Sequence, residues 1–276
     1  YCSLCGESGE ELETLDKVFK FATFDKPGFL PGIKDGPGIR EKVSPICREC
    51  FATLSAGKEE MENRFANYTV VPGIILFIIP EIISDRQKYL QTAAENTKEF
   101  LTKGIRVEER FFRSLARHKE GLVYHFLFAE TNQAQLIVHS LIEDVPPTHL
   151  RKLEKFWGDA CRAFGYVAQT NDDKRLYLDT AIRQLVAVML SLAGKSDQDK
   201  TVMRDKIIAI IGALLNGEKI NVHEIKMLIV SRLAGLFSDP DWLHPKDKRS
   251  MPGRFKMQGM AELVDFMYRV NRREKL

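Results

Sequence analysis

Long apolar runs are missing from this 276-residue chain. The longest covers residues 74–79, far short of the ~20 residues a membrane helix needs. Proline and glycine are sparse, 11 and 18 residues, which excludes collagen-like and linker-like classes. Neither sign of charge prevails, with 41 Lys/Arg against 38 Asp/Glu. The glycine-rich stretch from Pro27 to Gly38 lacks the Gly-x-x-x-x-Gly-Lys-Ser/Thr spacing and the strand-to-helix setting of a phosphate loop, so it reads as rigid turns. No carboxylate cluster and no Ser–His or Cys–His arrangement suggests a catalytic site. Glu108 and Glu109 are adjacent on an expected helix and so point ~100° apart, which suits a solvated face. No secretory leader is expected at the start, and Tyr1 in place of Met suggests a segment of a longer polypeptide.

What is present suffices for a packed core: 44% hydrophobic, 29% charged and 9% aromatic residues. The length suggests about two domains on a prior of ~150 residues each. The charge is unevenly spread. Residues 1–147 hold 18 Lys/Arg and 22 Asp/Glu, whereas residues 148–276 hold 23 and 16. A basic half beside an acidic half points to a polyanion or an acidic partner for the former.

Four of the five cysteines form two Cys-x-x-Cys pairs, Cys2/Cys5 and Cys47/Cys50, and Cys161 stands alone. Without a secretory signal such pairs read as metal ligands, with redox dithiols as the alternative. A two-residue gap lets both thiolates of one knuckle reach one ion at ~2.3 Å, and two knuckles close a tetrahedron. Gly6 stands where a tight turn needs it, and Pro45 stiffens the approach to Cys47. Four cysteines leave no open coordination position, so the expected zinc is structural. The 41 residues between knuckles exceed a zinc ribbon's spacing, so an insertion is looped out. Residues 18–24 of that insertion alternate as a strand, and Pro27-Gly28 and Pro31-Gly32 mark consecutive turns.

These residues carry a resemblance. Cys2-x-x-Cys5-Gly6, then Phe19-Lys20-Phe21-Ala22-Thr23-Phe24-Asp25-Lys26-Pro27-Gly28-Phe29-Leu30-Pro31-Gly32, then Val43-Ser44-Pro45-Ile46-Cys47-Arg48-Glu49-Cys50 and Leu54-x-x-Gly57-Lys58 are similar to the large subunit of the type I-B CRISPR surveillance complex (Cascade). The similarity covers roughly residues 1–155, and the metal motif with its Asp-Lys-Pro-Gly-Phe loop is its specific part. It implies an RNA-guided effector subunit without catalytic activity, cytoplasmic in a prokaryote. Its partners would be backbone and small subunits on a CRISPR RNA, target DNA, and a recruited helicase-nuclease that does the cutting.

The expected fold class is α+β, in three parts. Residues 1–58 form a zinc module with the Pro/Gly-rich insertion, 59–147 a middle region with a β-hairpin, and 148–276 a helical bundle. In the middle region a short helix is expected over residues 59–65. Strands are expected over 68–71 and 74–79, the second buried on both faces. Helices follow over 84–103 and 107–117. A hairpin over 122–128 and 135–142, turning at Asn132, sets His125 opposite His139. Beyond it Thr148 is expected to cap a helix to about Phe164. Further helices run over 174–192, after a Ser196-x-x-Asp199 box, after an Asn221-x-x-Glu224 cap, and over 252–272.

The bundle's polar faces carry the excess charge. Lys195, Lys200, Arg204 and Lys206 flank one helix start. Lys246, Lys248, Arg249, Arg254 and Lys256 form a second cluster, beside Trp242 and Phe255, which are placed to stack on an unpaired base. Arg269, Arg272 and Arg273 lie at the end of the chain. Contact through such groups is phosphate-directed and salt-dependent. Two other classes stay open: a pure protein-binding scaffold, and a zinc-containing nuclease or nucleic-acid modifying enzyme.

Overall fold

A computed structural model describes residues 1–8, 12–19, 45–83, 111–117, 121–132, 135–170, 172–194, 196–246 and 253–272. The expected strand over residues 18–24 lies outside this set beyond Phe19. So do the glycine-rich turns, the helix over 84–103 and the Glu108-Glu109 pair.

The chain opens with β1 (Leu12–Thr14), which pairs antiparallel with β2 (Pro45–Cys47) and so draws distant segments together. From Cys47 the chain enters α1 (Arg48–Arg64) directly. This helix begins far ahead of the short helix expected over 59–65. Cys47 is extended (φ −69°, ψ 160°) and its sulfur accepts from the Cys50 N–H, which caps the first turn as Ser or Asp does elsewhere. Gly57 sits inside the helix, at a cost of about 1 kcal/mol relative to Ala. Glu60–Arg64 and Lys58–Glu62 pairs, at 2.8 and 3.7 Å, brace its later turns.

Four strands follow as an antiparallel meander in the order β3 (Ala66–Val71), β4 (Ile74–Ile82), β5 (Leu122–Asn132), β6 (Gln135–Val145). Pro72-Gly73 makes the first turn, with Gly73 at φ +77°, a conformation that disfavours any Cβ. Ile74, Leu76, Phe77 and Ile78 are all buried, so β4 is covered on both faces as expected.

The β5–β6 register differs from the expected one. Asn132 pairs with Gln135, so the hairpin is not centred on Asn132. Two irregularities then shift the pairing, between Phe128 and Ala129 and between Tyr124 and Phe126. His139 falls at the first and His125 at the second, so the two histidines are not opposite one another. A bulge adds one residue to one strand only, and spacing in sequence does not reveal it.

The helical part comprises α2 (Phe111–Ala116), α3 (Pro147–Ala163), α4 (Leu178–Ser191), α5 (Asp197–Asn216), α6 (Val222–Phe237), the short α7 (Pro240–Leu243) and α8 (Gly253–Asn271). Pro146, not Thr148, is the N-cap residue of α3, because Pro147 suits the first helical turn, where no N–H is needed. The Ser196 and Asn221 caps form as expected: each side-chain oxygen accepts from the N–H three residues on, at 3.1 and 3.2 Å. Sheet and helices share one core. Tyr124, Phe126, Phe128, Trp157, Leu263, Phe266 and Met267 all lie within it, and Trp157 meets Phe266 edge-on at 5.7 Å. Met189, Met203 and Met260 are also core residues.

Two buried carboxylates position the helices. Asp179 accepts from the Phe112 and Arg113 N–H groups at 2.8 and 3.0 Å, capping α2 from α4. Burial pushes its pKa up in spite of these bonds. Glu262 of α8 is fully buried, pairs with Arg175 and accepts from Gln258 at 3.0 Å. Asp179→Ala leaves two buried donors unsatisfied and is expected to cost about 2–3 kcal/mol. Urea unfolding with unchanged m-value checks it, and a midpoint equal to the parent's contradicts the cap.

Candidate metal centre

The two knuckles meet. One sulfur from each of Cys2, Cys5, Cys47 and Cys50 lies within 4.8 Å of all the others, and the Cys5 and Cys47 sulfurs are 3.8 Å apart. A tetrahedron with ~2.3 Å metal–sulfur bonds has edges of about 3.8 Å. The geometry is therefore compatible with a zinc site.

Local structure explains the convergence. In the first knuckle Gly6 takes φ +76° and its N–H returns to the Cys2 carbonyl at 3.0 Å, while the Leu4 N–H donates to the Cys2 sulfur at 3.4 Å. In the second, the helix start serves the same end: the Cys50 N–H donates to the Cys47 sulfur at 3.4 Å. The Ser3 N–H donates to the Pro45 carbonyl at 2.7 Å and locks one knuckle on the other. A small cluster of Cys2, Val18 and Ile46 is packed with Leu15, Phe51 and Leu54, apart from the main core.

Electrostatics set the sulfurs apart. Backbone N–H groups of Cys5 and Cys47 pull the Cys2 thiol from 9.0 to about 6. Its hydrogen bond with the Cys47 thiol, then burial, push Cys50 up to about 12. Without a cation the four cannot all ionise at neutral pH. A divalent ion compensates the shared charge and releases protons as it binds.

Glu81, His125 and Asp144 form a second group whose ligand atoms lie within 4.8 Å of one another. Here the imidazole is already satisfied. The Asp144 N–H donates to Nδ1 at 3.3 Å, so Nε2 carries the proton and donates to Glu81 at 2.7 Å. A metal on either nitrogen would displace a bond that ties β4, β5 and β6 together. Cys161 is buried away from both groups, and burial pushes its thiol up to about 12.

Several of the expected basic residues are paired with carboxylates. Lys195, Lys248, Arg249 and Arg273 lie outside the described residues, as do the side chains of Arg254 and Phe255. Arg204 is tied to Glu130 at 3.0 Å, Lys206 to Glu224 at 2.5 Å, Lys200 to Asp197 at 2.9 Å and Arg269 to Asp265 at 2.6 Å. Lys246 is 90% exposed, 3.7 Å from Asp241, and Lys256 stands 5.4 Å over the Trp242 ring. Trp242 itself is buried and not free to stack on a base, a correction to the sequence reading. Its ring lies so close to Gly253 that a Cβ there would approach it to 2.7 Å, and Phe237 meets it edge-on at 6.0 Å. Lys152 and Lys155 of α3 were not singled out from the sequence, although Arg151, Lys152 and Lys155 fall within five residues. They share a groove with Arg269 and Arg272.

The chain belongs to the CRISPR-associated protein TM1802 (cas_TM1802) family, whose central domain matches residues 1–145. The match takes in all four clustered cysteines and the four-stranded sheet, and ends where α3 begins. No curated protein matches the chain. Among the described residues no helix is long and apolar enough to cross a membrane.

Purified protein is expected to take up one equivalent of Co(II) with a thiolate-to-metal charge-transfer band, displaced by Zn(II), and Cys2→Ser to weaken the uptake. Less than about half an equivalent of metal in carefully prepared protein contradicts the four-sulfur closure.

Proposed function

We propose that this chain is a non-catalytic part of the large subunit of a type I-B RNA-guided effector complex, acting in a prokaryotic cytoplasm. Cys2, Cys5, Cys47 and Cys50 hold one structural zinc that fixes the N-terminal module. The helical part lies against neighbouring subunits on the guide RNA and holds target DNA, or its displaced strand, by the phosphates. Cleavage belongs to a recruited helicase-nuclease. The single observation that carries this reading is the family match over residues 1–145, which includes the clustered sulfurs. The excess of Lys/Arg over Asp/Glu beyond residue 147 supports the DNA-holding role.

A pure scaffold is the second reading, and α6 favours it. Met227, Val230 and Phe237 lie along one side of that helix and are 51–60% exposed, an apolar stripe suited to a protein surface.

Salt titration of target binding by the assembled complex separates the two. With Lys246, Lys248 and Arg249 all changed to Glu, affinity at physiological salt is expected to fall about 10-fold. The slope of log affinity against log salt should flatten by about 2, at ~0.7 per phosphate contact on a single strand. Target binding by the parent complex that ignores salt removes the DNA-holding role and leaves the scaffold.

A further inference from the structure

The packing of α3 against α8 leaves a groove of about 590 Å³ along their outer faces. Lys152 and Lys155 stand on one wall, one turn apart, and Arg269 and Arg272 on the other, also one turn apart. Phe156 and Tyr268 lie between them, Tyr268 with 38% of its surface in solvent.

The two carboxylates of the groove do not cancel this charge. Asp159 is engaged by Arg162 at 3.1 Å and Asp265 by Arg269 at 2.6 Å, each within its own helix. Among the described residues no carboxylate pairs with Lys152, Lys155 or Arg272. Lys226 of α6, which does not line the groove, donates to the Tyr268 hydroxyl at 3.4 Å and stands 5.7 Å from the centre of its ring. The groove therefore combines uncompensated cations on both walls with an aromatic face between them.

That combination suits a chain alternating anionic links with flat rings. A single strand offers a phosphate every residue and a π-face every residue, and binds such grooves by ion pairing and stacking together. An acidic helix would seek a continuous apolar stripe, and here two rings stand apart among cations. We propose that this groove binds single-stranded nucleic acid, with phosphates on Lys152, Lys155 and Arg272 and a base against Tyr268. The inference rests on the nucleic-acid reading above and assigns it residues outside the clusters that the sequence marked.

Fluorescence anisotropy of the full-length protein with a labelled oligothymidylate tests it, with oligouridylate and a duplex of equal length as further arms. Lys152→Glu combined with Lys155→Glu is expected to weaken single-strand binding about 10-fold or more and to lower the salt slope by about 1.4, at ~0.7 per lost contact. Tyr268→Ala should weaken it about 10-fold, and Tyr268→Phe should restore it, because stacking needs the ring and not the hydroxyl. Relative loss on the deoxy and ribo arms identifies which strand the groove prefers. Single-strand affinity and slope unchanged in both variants overturn the proposal. So does an oligoglutamate peptide that binds as tightly as the oligonucleotide and responds equally to Tyr268→Ala. Should the double charge reversal fail to fold, Arg272→Glu at the exposed helix end and the Tyr268 pair still decide the matter. If the groove variants leave salt-dependent target binding by the assembled complex intact, the groove fails while the wider DNA-holding role stands. If the parent complex itself shows no such dependence, the wider role fails.

Discussion

A sheet with an apolar face has to be covered, and here the helices do the covering. Tyr124, Phe126 and Phe128 of β5 and Leu76 and Ile78 of β4 belong to the same buried cluster as Trp157 of α3 and Leu263 and Phe266 of α8. Neither layer keeps its hydrophobic surface from water without the other. The polar ties follow from that shared core. Asp179 reaches from α4 to the start of α2, and Arg175 reaches from the turn before α4 to Glu262 in α8. Both ties join elements that burial has already brought into contact, and they fix orientation more than they add stability.

The sulfur cluster obeys a different constraint. Its apolar support is three buried residues, Cys2, Val18 and Ile46, with a few half-buried neighbours. So little buried surface does not hold two distant segments together by itself. A metal on the four clustered sulfurs would supply what the hydrophobic effect cannot. Backbone N–H groups donate to the Cys2 and Cys47 sulfurs and fix the orientation of each.

Much of this is legible in the sequence, and for identifiable reasons. Cys-x-x-Cys spacing is local, so the four cysteines that the fold brings together can be named without coordinates. The Ser196 and Asn221 caps are legible because capping is local. The apolar run of β4 and the Pro72-Gly73 turn are legible on the same ground. The departures have a common cause, which is that tertiary context decided. Bulges in the β5–β6 pairing separate His125 from His139. A cysteine, absent from the usual list of capping residues, starts α1. Trp242 looks available beside a basic cluster, yet Gly253 and Phe237 enclose it. Charge runs are the least informative. Arg204, Lys206 and Arg269 are committed to carboxylates that are distant in sequence or a turn away, whereas among the described residues no carboxylate pairs with Lys152 or Lys155.

Cys47 has two duties, as one of the four sulfurs and as the cap of α1. The helix it opens is 17 residues long, about 25 Å. Only Phe65 separates its far end from β3. The cysteine end and the sheet are thus joined by a stiff strut with almost no slack at either joint. A displacement of the cysteine end would therefore be carried on to the sheet, because no loose chain lies between them to absorb it.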